Sequence, residues 1–202
     1  MARRNGSPPP APEAPAAVWR GAVFDAGGRY RYALTRRWAA GGAAVAFVLL
    51  NPSTADAERD DPTIRRCTGF ARAWGCAALE VVNLFAWRAT RPAMLRQAPD
   101  PVGPDNDAHL LRAARAAQRV VLAWGVHGAL GGRDAAVLAL LERSGIRAHC
   151  LGVTLGGQPR HVLYLPRETG LQRYAPPRAL RERRESPRTA ARAGTARRPA
   201  RR

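Results

Sequence analysis

The chain contains no lysine; all 33 of its basic residues are arginine. So uniform a choice reads as a compositional preference for Arg, Ala, Gly and Pro as much as a device for phosphate contacts. The net charge of +18 is therefore only weak support for a nucleic-acid partner. Cysteine is scarce. Cys67, Cys76 and Cys150 are an odd number at spacings that fit no zinc or redox motif, which argues against a disulfide framework and a structural metal and leaves them as small buried hydrophobes. No pair of histidines has metal-ligand spacing, and neither a P-loop nor a dinucleotide fingerprint is completed, so no metal and no cofactor are expected. Long apolar runs are missing too. The longest, Ala43 to Leu50, is far too short to span a bilayer, and Ala and Pro stand where a signal peptide carries its hydrophobic block. A cytoplasmic protein with no membrane partner is expected.

What is present suits one soluble domain: 202 residues, 46% hydrophobic and 24% charged. Residues 1–17 hold the run SPPPAPEAPAA, which disfavours regular hydrogen bonding and reads as a disordered lead. Residues 174–202 collapse to Arg, Ala, Pro, Thr and Glu, too poor in large apolar side chains to offset the entropy of ordering. From Arg173 onward eleven Arg face two Glu, so half of the net charge sits in a tail read as disordered. The fold is expected in residues 18–173.

Within that span strands and helices alternate. Tyr30, Tyr32 and Leu34 recur every second residue as in a half-buried strand, and Val45 to Leu50 is the unbroken apolar run of a central strand covered on both faces. Asp61-Pro62 opens a helix through Ile64, Cys67, Phe70, Ala71 and Trp74, and Gly75 stops it. Leu79 to Val82 predicts a strand, Thr90-Arg91-Pro92 a short helix, and Asp107 to Gln118 a longer helix with Leu110, Leu111 and Ala114 inward. Val120 to Ala123 is again a strand, Arg133 to Arg143 a helix, and Arg147 to Leu151 a last strand before a Gly-rich loop. The alternation implies an α/β three-layer sandwich around a mainly parallel sheet.

Polar or Gly-bearing clusters follow several of these strands: Asn51-Pro52-Ser53-Thr54, Asn83-Leu84-Phe85, Trp124-Gly125 and Thr154 to Gly157. In open α/β sheets the ligand crevice lies at that edge, so their convergence predicts one site, although each taken singly suits an ordinary turn. Asn51, held by the Pro52 turn, can orient a water or a carbonyl. Asp56, Asp60 and Asp61 behind it offer a general base, with Asp61 also a helix cap and Asp60 a solvated loop charge. Asn83 presents both a donor and an acceptor to a nucleobase edge, or else makes an Asx turn. Arg88 and Arg91 can pair with phosphates while Phe85 and Trp87 offer stacking faces or fill the core. His161, in a loop between Gly-rich and apolar segments, can donate to an anionic leaving group. His109, His127 and His149 suit structural or solvent-facing roles.

LNPSTAD, DDPTIRRC, NLFAWRAT, PVGPDND, AWGVHG and PRHVLYL, in order from about Arg31 to Leu165, resemble the bacterial domain-of-unknown-function family 1643. That family usually has His-Pro-Leu-Tyr where this chain has His161-Val162-Leu163-Tyr164. More distantly, the order of parts is similar to the uracil-DNA glycosylase superfamily: a water-activating loop after the first core strand, a base-gripping Asn after a later one, and a His-bearing loop near the end. Asn51-Pro52 matches the Asn-Pro of its mismatch-specific branch, and Asn83 to Pro92 matches the basic, Pro-ended segment of another. The resemblance implies that Asn51 positions water with Asp56 nearby, that Asn83 grips the base, and that His161 stabilises the departing base anion. Pro52, Ser53, Phe85, Arg88, Arg91 and Gly125 would complete the binding surface. The function it implies is hydrolysis of an N-glycosidic bond in a nucleobase or nucleic-acid ligand, DNA or RNA being contacted through the Arg-rich tail and the crevice. Two alternatives stand beside it: a non-catalytic nucleotide or nucleic-acid binding module, and a hydrolase acting on free nucleosides or nucleotides.

Overall fold

The computed structural model describes residues 19–177. The readings for residues 1–17, and for the basic tail past residue 177, lie outside the described residues; Tyr174, the first residue assigned to that tail, is buried in the core instead. One seven-stranded sheet runs through the fold in the order β1 (Trp19–Phe24), β2 (Arg31–Arg37), β4 (Ala78–Asn83), β3 (Ala44–Leu49), β5 (Arg119–Leu122), β6 (Ala148–Cys150) and β7 (Gln172–Arg173). The inner strands β4, β3, β5 and β6 pair parallel, whereas β1, β2 and β7 add antiparallel edges. The sheet is thus mixed, and parallel in its centre.

β3 shows why the layers form. Its side chains alternate between two hydrophobic clusters: Val45, Phe47 and Leu49 meet Ile64, Cys67 and Phe70 of helix α1 (Pro62–Ala73), while Ala46 and Val48 share the other cluster with Leu110 of helix α2 (Asn106–Ala116) and Leu138 of helix α3 (Arg133–Arg143). An apolar strand with helices on both faces needs no polar side. Helix α1 begins where Asp61 accepts the Ile64 N–H at 2.8 Å, Pro62 occupies its first turn, and Gly75 ends it with φ near +71°. The short helix expected at Pro92 is a 3₁₀ turn, Pro92–Arg96. In α2 the inward side chains are Leu110, Ala113 and Ala114, with Leu111 only half buried.

The regular alternation expected through Tyr30, Tyr32 and Leu34 does not hold. Ala33 pairs with Val23 but Arg31 with Phe24, so β2 carries an extra residue, a bulge, at Tyr32. Tyr30 and Tyr32 stack on each other, and Tyr32 stacks on His109 of α2 at 4.9 Å, whereas Leu34 belongs to the α1 side. A bulge re-aims the side chains beside it. Here it turns Arg31 toward the α1 side, where Nη1 donates to the Ala55 carbonyl at 2.6 Å.

Candidate functional site

Past the C-terminal ends of β3, β5 and β6 lies a cleft of about 580 Å³. The loop after β3 gives it Asn51, Ser53 and Asp61; the turn after β5 gives Trp124 and Gly125; the loop after β6 gives Thr154, Arg160 and His161. Arg31 reaches it from β2. A crevice at this edge is what parallel strands with right-handed crossovers leave open.

Buried arginines fix the first loop. Besides the bond from Arg31 to Ala55, Arg36 donates through Nη2 to the Asp56 carbonyl at 2.6 Å and through Nε to Asp60 Oδ1 at 2.8 Å. Asp60 also lies 3.6 Å from Arg20. Asp56 turns inward on its own loop, where Oδ1 accepts the N–H groups of Arg59 at 2.7 Å and Glu58 at 2.9 Å, bonds that lower its pKa. Neither aspartate lines the cleft. The general-base reading of Asp56 is therefore not supported by its position: its carboxylate closes a turn. Asp61 does line the cleft while it caps α1.

Asn51 is held as the sequence suggests. Its Nδ2 donates to the Pro52 carbonyl at 2.8 Å and the Ala89 carbonyl at 2.7 Å, which commits the amide nitrogen and leaves Oδ1 as the acceptor available to a ligand. His161 caps the 3₁₀ turn Val162–Tyr164: its Nδ1 accepts the Leu163 N–H at 3.3 Å, so the proton of the neutral ring sits on Nε2. Burial lowers the His161 pKa and Asp61 pulls it back, so the neutral donor form is favoured. Val162, where the resemblance gave Pro as the expected residue, is the first residue of that turn and fully buried on the α1 side. Pro loses no helical hydrogen bond at such a position, so Val keeps the turn.

The other wall rests on a buried polar chain. Trp124 Nε1 donates to Gln158 Oε1 at 2.6 Å, and Gln158 Nε2 donates to Asp134 Oδ2 at 2.6 Å. Gly125, with φ near +74°, donates its N–H to the Pro159 carbonyl at 2.9 Å. These bonds tie the turn after β5, the loop after β6 and the start of α3 into one unit. Gly128 passes so close to the Trp124 ring that a Cβ there would collide with it.

Several expected contributors lie elsewhere. Asn83 is fully buried, and neither amide atom has a partner among the described residues. Hydrogen bonding to β3 runs on beyond it, from Leu84 N–H to the Leu49 carbonyl and from Phe85 N–H to the Leu50 carbonyl, so Asn83 sits inside the sheet and not at its lip. Phe85 belongs to the core on the α2 and α3 side. Pro52 is buried and supplies the carbonyl that holds Asn51. Arg88 donates to the Gly28 carbonyl and lies over the Phe24 ring, and Arg91 is exposed; neither lines the cleft. From the segment after β4 the cleft receives Ala89, Thr90 and Pro92 instead.

Arg31 is the residue that sequence reasoning missed. Standing between two tyrosines of a strand read as half-buried, it falls on the face expected to meet solvent, whereas both faces of β2 are buried from Arg31 to Leu34. Burial pushes its pKa down to about 10, against the pull of Asp61.

Among the described residues no group of three or more His, Cys, Asp or Glu is placed to hold a metal ion, and no helix is long and apolar enough to cross a membrane. Cys67, Cys76 and Cys150 are buried and unpaired. A family model described as "Protein of unknown function (DUF1643)" matches residues 31–163. The chain belongs to this family. The DUF1643 match takes in both walls of the cleft, from Arg31 to His161. No curated protein and no solved structure matches the chain.

Proposed function

We propose that the cleft binds a nucleobase-bearing ligand and hydrolyses its N-glycosidic bond, in the manner of the uracil-DNA glycosylase superfamily. What supports this reading is that Asn51, Asp61 and His161, drawn from two separate loops, line one cleft. In it Asn51 Oδ1 and the second carboxylate oxygen of Asp61 hold and deprotonate the attacking water, and His161 Nε2–H donates to the base as it departs with the bonding electrons. Amides, a carboxylate and a neutral imidazole donor supply the charge stabilisation such a bond cleavage needs. A polymer substrate would have its base drawn out of the stack into the cleft.

One observation favours a second reading, a non-catalytic nucleotide or nucleic-acid binding module. Asn83, the residue expected to read the base edge, is enclosed in the sheet, so the cleft lacks the amide that would discriminate bases. The test is release of free base, followed by chromatography, from uracil-, hypoxanthine- and mismatch-containing DNA and from free nucleosides. Release that falls about 10²–10³-fold in His161→Ala, the usual cost of a lost charge-stabilising donor, supports the hydrolase. Release unchanged in both Asn51→Ala and His161→Ala overturns the roles given to these residues, and binding without release from any substrate establishes the second reading.

A further inference from the structure

Three arginines in the described residues are almost wholly buried: Arg31, Arg36 and Arg133. A buried guanidinium is costly unless a counter-charge meets it. Arg36 has Asp60 at 2.8 Å, and Arg133 has Asp107. Arg31, the most deeply buried at 2% exposure, has no carboxylate within ion-pair distance among the described residues. Its Nη1 takes the Ala55 carbonyl, its Nε is buried without a partner, and its Nη2 makes no hydrogen bond with a described residue. It is also the one of the three that lines the cleft. Arg160 lines the mouth of the same cleft from the opposite loop, exposed and without a hydrogen bond from its side chain to any described residue.

We propose that Arg31 is the anion-holding residue of this cleft, that the ligand carries a phosphate which docks against it, and that Arg160 closes over that phosphate from the mouth. The missing counter-charge is then supplied by the ligand. The Nη2 N–H groups, which make no hydrogen bond with a described residue, are suited to a phosphate oxygen, and the Ala55 carbonyl holds the guanidinium in place through Nη1. The inference deepens the reading above, because it turns a nucleobase-bearing ligand into a nucleotide or a nucleic-acid backbone. It nevertheless needs no bond to be broken, so failure of the hydrolase reading leaves it standing.

The experiment uses the full chain at about 0.15 M salt, where solvent-exposed charges are screened far more than a buried site. Inorganic phosphate is titrated while the Arg31 Nε–H resonance is followed by NMR, and uridine is compared with uridine 5′-monophosphate by calorimetry. The expected result is a saturable shift of that resonance, and a preference for the monophosphate of about tenfold or more, as a charge-assisted hydrogen bond confers. Arg31→Gln, which keeps a polar side chain without the charge, should abolish the preference, Arg31→Lys should restore part of it, and the exposed Arg160→Gln should lower it several-fold with the fold untouched. A phosphate preference that survives in folded Arg31→Gln belongs to the tail and overturns the proposal. So does an Arg31 resonance that phosphate leaves unmoved, a result that depends on no variant. Acetate separates the two oxyanion classes: a shift with acetate equal to that with phosphate would contradict a phosphate site.

Discussion

Replacing Gln158 by Ala should unfold the cleft's second wall before it affects anything else. Gln158 is 6% exposed and bridges two buried groups, the Trp124 indole N–H and the Asp134 carboxylate, each at 2.6 Å. Truncation leaves the indole N–H without its acceptor, at a cost of about 1–3 kcal/mol, and removes a donor from a buried carboxylate, which costs at least as much. Some water will enter the space, so the expected loss is about 3–5 kcal/mol. For a domain of this size that corresponds to a fall in Tm of roughly 10 °C. Urea unfolding followed by far-ultraviolet circular dichroism and tryptophan fluorescence measures it, and the midpoint should move with little change in slope. Gln158→Glu should be no milder at neutral pH, since it sets a carboxylate against Asp134. A loss below about 1 kcal/mol in Gln158→Ala would refute the reasoning, because it would mean that the bridge is not what keeps these two groups satisfied.

Gly128→Ala should destabilise the fold by about 2–3 kcal/mol and change the fluorescence of Trp124, because the added Cβ collides with the indole ring; an unchanged spectrum and midpoint would contradict the packing described. Asp61→Asn keeps a capping oxygen and should leave stability within about 0.5 kcal/mol while abolishing base release, whereas Asp61→Ala should lose about 1 kcal/mol as well; equal stability of the two variants in urea would count against the cap. His161 and His109 both have pKa values lowered by burial, so the unfolded chain binds more protons than the folded one just below the ordinary histidine value near 6.5. Stability should therefore be full above that pH and decline as pH falls through the folded values, and the decline should shrink when either histidine is replaced by Asn.

The framework of this fold was legible because its signals are local. An unbroken apolar run of strand length between Gly and Pro reads as a strand covered on both faces, and Val45 to Leu49 of the run to Leu50 lies in such a strand. Asp61-Pro62 before an apolar 3.6-residue period starts a helix wherever it occurs, and α1 starts there. The two outermost antiparallel strands were not legible: β1 is largely exposed, with Trp19 at 55%, and β7 is two residues long, so neither carries the apolar pattern by which strands are read. The crevice at the strand ends followed from the alternation of elements, but the membership of its walls did not. Asn83 ends β4 in sequence, yet two further residues keep hydrogen bonding to β3, and that continuation encloses the amide. Arg31 erred in the opposite sense, since one extra residue in the β1–β2 pairing exchanges the two faces of the strand and no composition or period records it.

The three aspartates show how far residue type alone can go. Asp56, Asp60 and Asp61 lie within six positions, and chemistry gives all three the same capacity to accept a proton. What separates them is how many oxygens the fold has already used, and toward what. Asp56 is occupied by two backbone N–H groups and Asp60 by two arginines, so in each the carboxylate is part of the loop's own scaffold. Asp61 accepts from Ile64 through Oδ1, and as a cap needs no more than that. Capping and catalysis were competing readings of this residue only while it was treated as a single group. A carboxylate has two oxygens, and a cap uses only one of them, so in the proposed hydrolase the helix start would also hold the base in place.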